Sequence, residues 1–362
     1  MFVSHSGRAP RTRLYHHALN RNSMSLSTCL IGRRILFIGI GFYDYEQHIT
    51  NRLRIAGAQV VVFNDRPWIL REGPVAALLR HLRIEAKPVQ RRHEAKILRA
   101  TRARRFDQIV VIKAVGLSVA LLENLRSSQP SAEFVLYQWD AMRRLDGIAP
   151  RLRFFDRILS FDRLDVQSDK RFTFRPLFFR EPSAQATLPD IDLTFVGQLH
   201  SDRVERVRQL EVVARSMGLR VHVHLTTGLW TWLRLTIRGR ADGVHVRRLR
   251  YSKYVELTKR SRCVVDLPHP DQAGMTMRAI EAVGLGRKII TTATDITKYD
   301  FYHPSNIRVL VSSDSIIDPD FVRGPPVNIA EAIIAHYSVD AWILDVFVGR
   351  SDPNSILGRF LK

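Results

Sequence analysis

The stretch DLPHPDQAGMTMRAIEAVGLGRKIITT, Asp266 to Thr292, carries residue types that a purely structural turn does not require. A strand-like run ends in a polar loop, and a helix is expected to begin near Gly274 to Thr276. Free backbone N–H groups at a helix N-terminus, together with the helix dipole, favour a bound phosphate. Arg278 lies one turn further along and can add a forked, charge-assisted contact. The pattern therefore predicts a site for a phosphorylated ligand.

Glu281 follows Arg278 by three residues, which places both side chains on one face of the predicted helix. From Gly274 to Glu281 the helix advances roughly 10 Å, about the span between a diphosphate and the ribose of one nucleotide. A carboxylate can accept hydrogen bonds from two vicinal hydroxyls, so Glu281 is predicted to hold a ribose. The alternative is a weak ion pair with Arg278 on the helix face. In the loop before the helix, His269 and Gln272 are interpreted as binding residues.

A second group of such residues follows the first strand-like run, in the segment GIGFYDYE. Gly39 and Gly41 let the backbone turn close to a ligand, and Tyr43 lies beside them. Asp44 is the acid best placed to remove a proton from an acceptor hydroxyl, with Glu46 as its competitor. The alternative for Asp44 is that it caps the helix that follows.

Two later strand ends carry further polar residues. The segment YQWDAMRR places Trp139 beside Asp140, and an aromatic face next to a carboxylate can hold a sugar ring. Trp139 could equally belong to the core. Lys113, at the end of the run VVIK, is a further binding residue expected in the same cleft.

The segment LTFVGQLHSDRVERVRQL starts a second series of strands and helices. Its strand is expected to end at Gly197, and His200 and Ser201 lie in the loop before a helix that starts at Arg203. Ser201 or Asp202 is a plausible N-cap. We assign Gly197, His200, Ser201 and Arg203 to the ligand site, with simple capping and a surface arginine as the alternative.

The elements that must position these residues repeat a strand–helix–strand order. Continuous apolar runs such as ILFIGI and QIVVI are typical of parallel strands buried on both faces. The pattern restarts after FFREPSAQATLPDID. We predict an α/β protein with two Rossmann-like, doubly wound domains that face each other across a cleft, where ligands bind beyond the strand ends. The predicted division is a disordered basic tail 1–32, an acceptor domain 33–183, a donor domain 190–325 and a helical segment 326–362.

The composition favours an anionic partner. The chain has 362 residues, with 56 Lys and Arg against 35 Asp and Glu, for a formal net charge of +21. This balance suits nucleic acid, an acidic membrane surface or phosphorylated ligands. No apolar run is long enough to span a membrane, and the N-terminus lacks the apolar region of a secretory signal. Two cysteines are too few for a disulfide scaffold, which favours the cytoplasm.

Two segments mix large apolar residues with arginine at helical spacing, PWILREGPVAALLRHLRI and GLWTWLRLTIRGR. This composition is typical of helices that lie in a membrane interface beside anionic lipid. The alternative is an ordinary amphipathic helix packed on a sheet. With the positive charge, the two segments predict peripheral attachment to the inner face of the plasma membrane.

Several segments resemble, in the same order, the GT-B glycosyltransferases: ILFIGIGFYDYE, VLYQWDAMR, ILSFDRLD, LTFVGQLHSDR, HPDQAGMTMRAIEAVGLGRKIITT and DITKYDFYHPSNI. The resemblance covers most of Arg33 to Phe321. It is closest to bacterial enzymes of capsule and lipopolysaccharide assembly and to the spore-maturation group. It implies transfer of a sugar from a nucleotide donor to a cell-surface or lipid-linked glycan.

The resemblance also implies roles for residues. In the family, a Glu that matches Glu281 holds the nucleotide ribose, and the loop before it faces the diphosphate and the donor sugar. Many retaining members carry an acid eight positions earlier, where this chain has Ala273, so the stereochemical outcome stays open. No metal-ligand spacing occurs, and we expect neither a metal nor a cofactor.

Two alternatives to the transferase remain. One is a nucleotide-sugar epimerase on the same architecture, which would convert its donor without an acceptor. The other is a basic, non-enzymatic nucleic-acid-binding protein. The arginines are spread along the chain and no nucleic-acid module is recognised, so we expect no nucleic-acid partner.

Overall fold

A computed structural model of the chain describes residues 29–71, 73–81, 86–182, 188–199, 203–269, 271–310 and 317–349. Most of the predicted N-terminal tail, 1–32, therefore lies outside the described residues.

The first domain is built on a parallel sheet in the order β2-β1-β3-β4-β5-β6. Its strands are β1 Arg34–Gly39, β2 Gln59–Asn64, β3 Gln108–Ile112, β4 Glu133–Gln138, β5 Arg157–Ser160 and β6 Phe172–Phe174. Its helices are α1 Tyr45–Ile55, α2 Trp68–Arg71, α3 Gly73–His81, α4 Lys87–Arg102, α5 Val119–Ser128, α6 Ala149–Leu152 and α7 Arg163–Ser168, with a 3₁₀ turn at Met142–Arg144.

The central strands of this sheet are apolar because both of their faces are covered. All five residues of β3 are buried, as are five of the six in β1. Helix α1 turns Ile49 and Leu53 onto the sheet, and Gly57, at φ +92°, allows the chain to reverse into β2. These continuous runs are what a parallel sheet with helices on both faces demands.

The second domain repeats the arrangement, with the parallel order β12-β11-β10-β7-β8-β9. Its strands are β7 Ile191–Gln198, β8 Val221–Thr226, β9 Val244–His245, β10 Ser261–Asp266, β11 Lys288–Thr291 and β12 Ile307–Val309. Its helices are α8 Arg203–Ser216, α9 Leu229–Ile237, α10 Tyr251–Arg260, α11 Met277–Gly284 and α12 Pro319–Arg323, with a 3₁₀ turn at Thr294–Lys298.

The chain then returns to the first domain. Helices α13 Glu331–His336 and α14 Val339–Ile343 lead into a π-helical turn, Leu344–Val348. Trp342 is fully buried and packs edge-on against Tyr137, with ring centroids 5.1 Å apart. Arg52 of α1 forms an ion pair with Asp340. The described part of the C-terminal segment therefore covers the first domain.

The predicted fold class is confirmed, since two doubly wound α/β units are present. The strands expected from apolar runs all occur, whereas β6 and β9, of three and two residues, were not predicted. Within the described residues, no helix combines the length and apolar character that crossing a bilayer requires.

Candidate functional site

The loops after the strands of the two domains meet along an interdomain boundary. Tyr45, at the start of α1, donates a hydrogen bond from its hydroxyl to Glu281 Oε1 of α11, at 2.6 Å. Arg144 donates from Nη1 to Gln272 Oε1 at 3.3 Å. Two residues predicted in the second half of the sequence, Glu281 and Gln272, therefore contact side chains of the first domain.

Glu281 is the most unusual side chain at this boundary. It is 1% exposed, and its second oxygen, Oε2, accepts a hydrogen bond from the Tyr251 hydroxyl at 3.0 Å. Burial raises the pKa of Glu281 to about 7, although the bonds from Tyr45 and Tyr251 oppose that shift. Each carboxylate oxygen thus holds one hydroxyl group. Glu281 does not pair with Arg278, so the alternative of a surface ion pair is excluded.

Arg180 completes this cluster, and sequence reasoning missed it. Its guanidinium lies 3.8 Å from the ring centroid of Tyr251 and 5.2 Å from that of Tyr45. It also binds Asp44, with 2.5 Å between Nη1 and Oδ1. Arg180 belongs to the segment that joins the domains, and a linker between two facing domains must pass their boundary. Its place in the linker was the sequence feature that could have indicated a site residue. From the sequence, this segment was interpreted only as the boundary between the two domains.

The N-terminus of α11 differs from its prediction. The amide of Gly274 was expected to be free for a phosphate, but it and the amide of Ala273 donate to Asp162 Oδ2 of the first domain at 3.3 and 3.1 Å. Phe161 packs on Gly274 so closely that an added Cβ would lie 2.7 Å from its ring carbons. These amides precede α11, which begins at Met277 after the N-cap Thr276, and the anion that they bind is a carboxylate of the same chain.

Thr276 and Arg278 are also engaged within the second domain. Thr276 caps α11 by accepting from the amide of Ala279 at 3.2 Å, and its hydroxyl donates to Asp266 Oδ1 at 2.6 Å. Arg278 donates from Nη1 to the same oxygen at 2.7 Å and from Nε to the carbonyl of Val196 at 2.6 Å. The prediction that Arg278 is free to bind a phosphate is therefore wrong for this conformation, because Asp266 and the end of β7 hold it.

Gly197 has a packing role at this strand end. A Cβ on Gly197 would lie 2.8 Å from Nη2 of Arg278, so the absence of a side chain lets the guanidinium approach the backbone. His200 and Ser201 lie outside the described residues. Arg203 begins α8, as predicted, and its side chain also lies outside the described part.

Glu46 organises the loop after β1. Its Oε1 accepts the amides of Ile40, Gly41 and Phe42 at 2.7, 2.6 and 3.2 Å. Glu46 is buried and saturated with donors, which removes it as a competitor for the catalytic base. A Cβ on Gly39 would lie only 2.5 Å from Cγ of Glu46. The packing of this loop therefore requires both the glycine and the acid.

Asp44 and Tyr43 project from the same loop. The Asp44 side chain is 49% exposed and makes no cap bond with α1, so the capping alternative is excluded. Tyr43 is 42% exposed and adopts φ +51°. Gly41 has φ +71°, and a Cβ there would fall on the Arg71 guanidinium. An exposed acid therefore remains at the strand end, held by Arg180.

An ion pair connects the loops that follow β3 and β4. Lys113 and Asp140 form an ion pair between partly exposed side chains. Lys113 and Ala114 have φ of +69° and +53°, a left-handed pair that costs of order 1–3 kcal/mol each and is typical of functional sites. Trp139 is only 7% exposed and packs against Phe178 at 5.8 Å between centroids. The core alternative for Trp139 is therefore correct, and its face is not available to a sugar ring.

His269 and Gln272 lie at the rim. The His269 side chain is 37% exposed, and its Nδ1 accepts from the amide of Asp271 at 3.2 Å. Gln272 donates to the carbonyl of Gly274 at 3.2 Å. Both side chains are near α11, where the sequence predicted them. Among the described residues, no group of three or more His, Cys, Asp or Glu side chains could hold a metal ion.

The fold is similar to that of known proteins at low sequence identity. An α,α-trehalose-phosphate synthase (UDP-forming) from Burkholderia xenovorans, solved with glucose-6-phosphate, is 12% identical, with a TM-score of 0.55 over 86% of this chain and 98% of that chain. The apo structure of OtsA is 12% identical, with a TM-score of 0.56 over 87% of this chain and 99% of that one.

A third similar structure is the N-terminal domain of trehalose-6-phosphate phosphatase from Candida albicans. It is 11% identical, with a TM-score of 0.51 over 89% of this chain and 98% of that chain. No protein-family model matches the sequence, and no curated protein does either. At these identities the similarity establishes the two-domain fold alone.

Proposed function

We propose that this chain is a metal-independent glycosyltransferase that moves a sugar from a nucleotide-sugar donor to a lipid-linked or growing cell-surface glycan of the capsule, O-antigen or lipopolysaccharide type. Support comes from the two facing domains and from their similarity to a UDP-forming synthase. The second domain binds the donor, and the first domain binds the acceptor. We place the reaction in the cytoplasm, at the inner face of the plasma membrane.

One observation carries the proposal. The buried carboxylate of Glu281 lies at the interdomain boundary and holds two separate hydroxyl groups, one on each oxygen. A ribose would present two vicinal hydroxyls to the same pair of oxygens. Asp162 likewise occupies the amides of Ala273 and Gly274 that a diphosphate would use, so the donor competes with side chains of the first domain. Arg180, Arg143 and Arg144 supply positive charge for the departing diphosphate.

The donor assignment is tested by calorimetry with nucleoside diphosphates and nucleotide sugars. Glu281→Ala removes two hydrogen bonds to a charged group, so affinity should fall roughly ten- to a hundredfold. Glu123→Ala, which changes an exposed carboxylate on α5, is the matched control and should leave affinity unchanged. Equal donor affinity in a folded Glu281→Ala protein would refute this site.

Asp44 is the proposed base, because it is exposed at a strand end and oriented by Arg180. Asp44→Asn keeps the shape but cannot take a proton, so kcat should fall by roughly 10²–10⁴ while donor affinity is retained. Asp242→Asn, an exposed acid of the second domain, should leave kcat unchanged. Turnover at the normal rate in Asp44→Asn would eliminate this base, and conversion of the donor without any acceptor would identify an epimerase instead.

A further inference from the structure

Helix α9 carries an apolar stripe that the domain does not use. Four large side chains on it are exposed: Leu229 at 52%, Trp230 at 81%, Leu233 at 36% and Ile237 at 86%. Their spacing places them within about 100° of the helix circumference. A helix of a globular domain normally turns such a stripe to the core. We call these four residues the α9 stripe.

The opposite side of α9 already anchors it. Trp232 and Leu235 pack against the apolar core of the second domain, and Trp232 donates from Nε1 to the carbonyl of Val244 at 3.1 Å. The helix therefore has one apolar face packed against the core and one apolar face exposed to solvent. The α9 stripe does not contribute buried apolar surface to the domain.

Positive charge surrounds the stripe. Arg234 and Arg238 lie on the exposed side of the same helix. Next to the helix lies a groove of about 700 Å³, whose cationic lining residues are Arg247, Arg248, Arg250 and Lys253. Within the described residues, this lining includes no carboxylate. From α9 the groove is lined by Trp232 and Thr236, and Thr236 follows Leu233 of the stripe by three residues, so the cations adjoin the edge of the stripe.

The first domain carries a second exposed apolar patch. Trp68 and Ile69 of α2 are 63% and 42% exposed, and Val75 and Leu78 of α3 are 45% and 56% exposed. These short helices follow the edge strand β2. They belong to one of the two segments whose composition predicts an interfacial helix.

Contacts connect both patches to the loop after β1. Arg71, at the end of α2, donates to the carbonyl of Ile40 in the loop after β1, at 3.3 Å. Tyr43 of that loop lies under Arg248 of the groove, 5.5 Å from guanidinium carbon to ring centroid. Elements of both patches therefore adjoin the loop after β1.

We propose that the α9 stripe and the cations of its groove form a docking surface for a membrane that bears anionic lipid head groups. Trp230 and Ile237 enter the apolar boundary, while Arg234, Arg238 and the groove cations bind lipid phosphates. This arrangement matches the interface, where aromatic and aliphatic groups lie beside basic side chains. The α2–α3 patch meets the same surface and brings the cleft mouth to a lipid-linked acceptor. The inference thus rests on the proposed function and names the face that docks.

The test is flotation of the full chain with vesicles of phosphatidylcholine alone or mixed with phosphatidylglycerol. The unmodified chain should float with the anionic vesicles, and added salt should weaken that binding. A Trp230→Ser, Ile237→Ser double variant should bind roughly tenfold or more weakly. An Arg247→Gln, Arg250→Gln double variant should lose the preference for anionic vesicles. Val212→Ser, at an apolar position of α8 that is 68% exposed, is the control and should float normally.

Two further measurements make the outcome decisive. Circular dichroism shows whether each variant is folded, and calorimetry with nucleotides reports the donor site independently, so loss of one property does not imply loss of the other. The proposal is overturned if the unmodified chain does not float, or if the folded stripe variant floats as well as the control. A dimer that forms in solution and is abolished by the stripe variant would instead assign the surface to a second copy of the chain.

Discussion

At the scale of single residues, Glu281 shows how burial and hydrogen bonding compete. Removing a carboxylate from water favours its neutral form, while hydroxyl donors and a nearby guanidinium favour the charged form. Tyr45, Tyr251 and Arg180 supply those opposing effects, yet burial dominates and brings the pKa of Glu281 to about 7. The group is therefore poised between its two states near neutral pH, which is typical of functional sites.

This balance predicts how stability depends on pH. Between pH 4.5 and pH 7 the folded chain retains a proton on Glu281 that the unfolded chain has released. The contribution of this group is therefore complete below pH 4.5 and is lost as the pH rises through 7. Relative to Glu281→Gln, the unmodified chain should lose about 3 kcal/mol of unfolding free energy over that range.

Urea unfolding at several pH values measures this difference. Groups such as His48, whose pKa is lowered by burial, occur in both proteins and cancel in the comparison. A difference between the two proteins that stays constant from pH 4.5 to pH 8 would contradict the assignment of a raised pKa to Glu281.

At the scale of elements, the sequence predicted what local pattern controls. The inner strands are continuous apolar runs because both faces of a parallel sheet are covered, so β1, β3 and β10 were recognisable. Strands β6 and β9 are too short for any periodicity to appear. Helix α11 was also predicted, although it begins at Met277, after the N-cap Thr276, rather than near Gly274.

The partners of these elements were not predictable in the same way. Asp162 reaches the amide of Gly274 from 112 positions earlier in the chain, and Tyr45 reaches Glu281 across 236. Such contacts depend on how the two sheets face each other, which no window of sequence contains. The sequence therefore predicted polar residues at strand ends, while their hydrogen-bond partners and the position of Arg180 were missed.

At the scale of the whole molecule, the two domains contact each other through side chains of the candidate site. The first domain places Tyr45 on Glu281 and Asp162 on the start of α11, and the linker adds Arg180 between the aromatic rings. If Glu281 holds a ribose, the nucleotide must displace the Tyr45 hydroxyl. Contact between the domains and donor binding then compete for the same carboxylate.

Tyr45→Phe separates these two uses of Glu281. The variant keeps the ring that packs against Trp139 but loses the hydroxyl, so a nucleotide no longer competes with it. Because one hydrogen bond to a charged group contributes about 1.5–3 kcal/mol, nucleoside diphosphate affinity should rise roughly tenfold or more in calorimetry. Tyr337→Phe, which removes a hydroxyl that donates to Asp300 rather than to Glu281, should leave affinity unchanged. Unaltered or weaker binding by a folded Tyr45→Phe protein would mean that the donor does not use the oxygen that Tyr45 occupies.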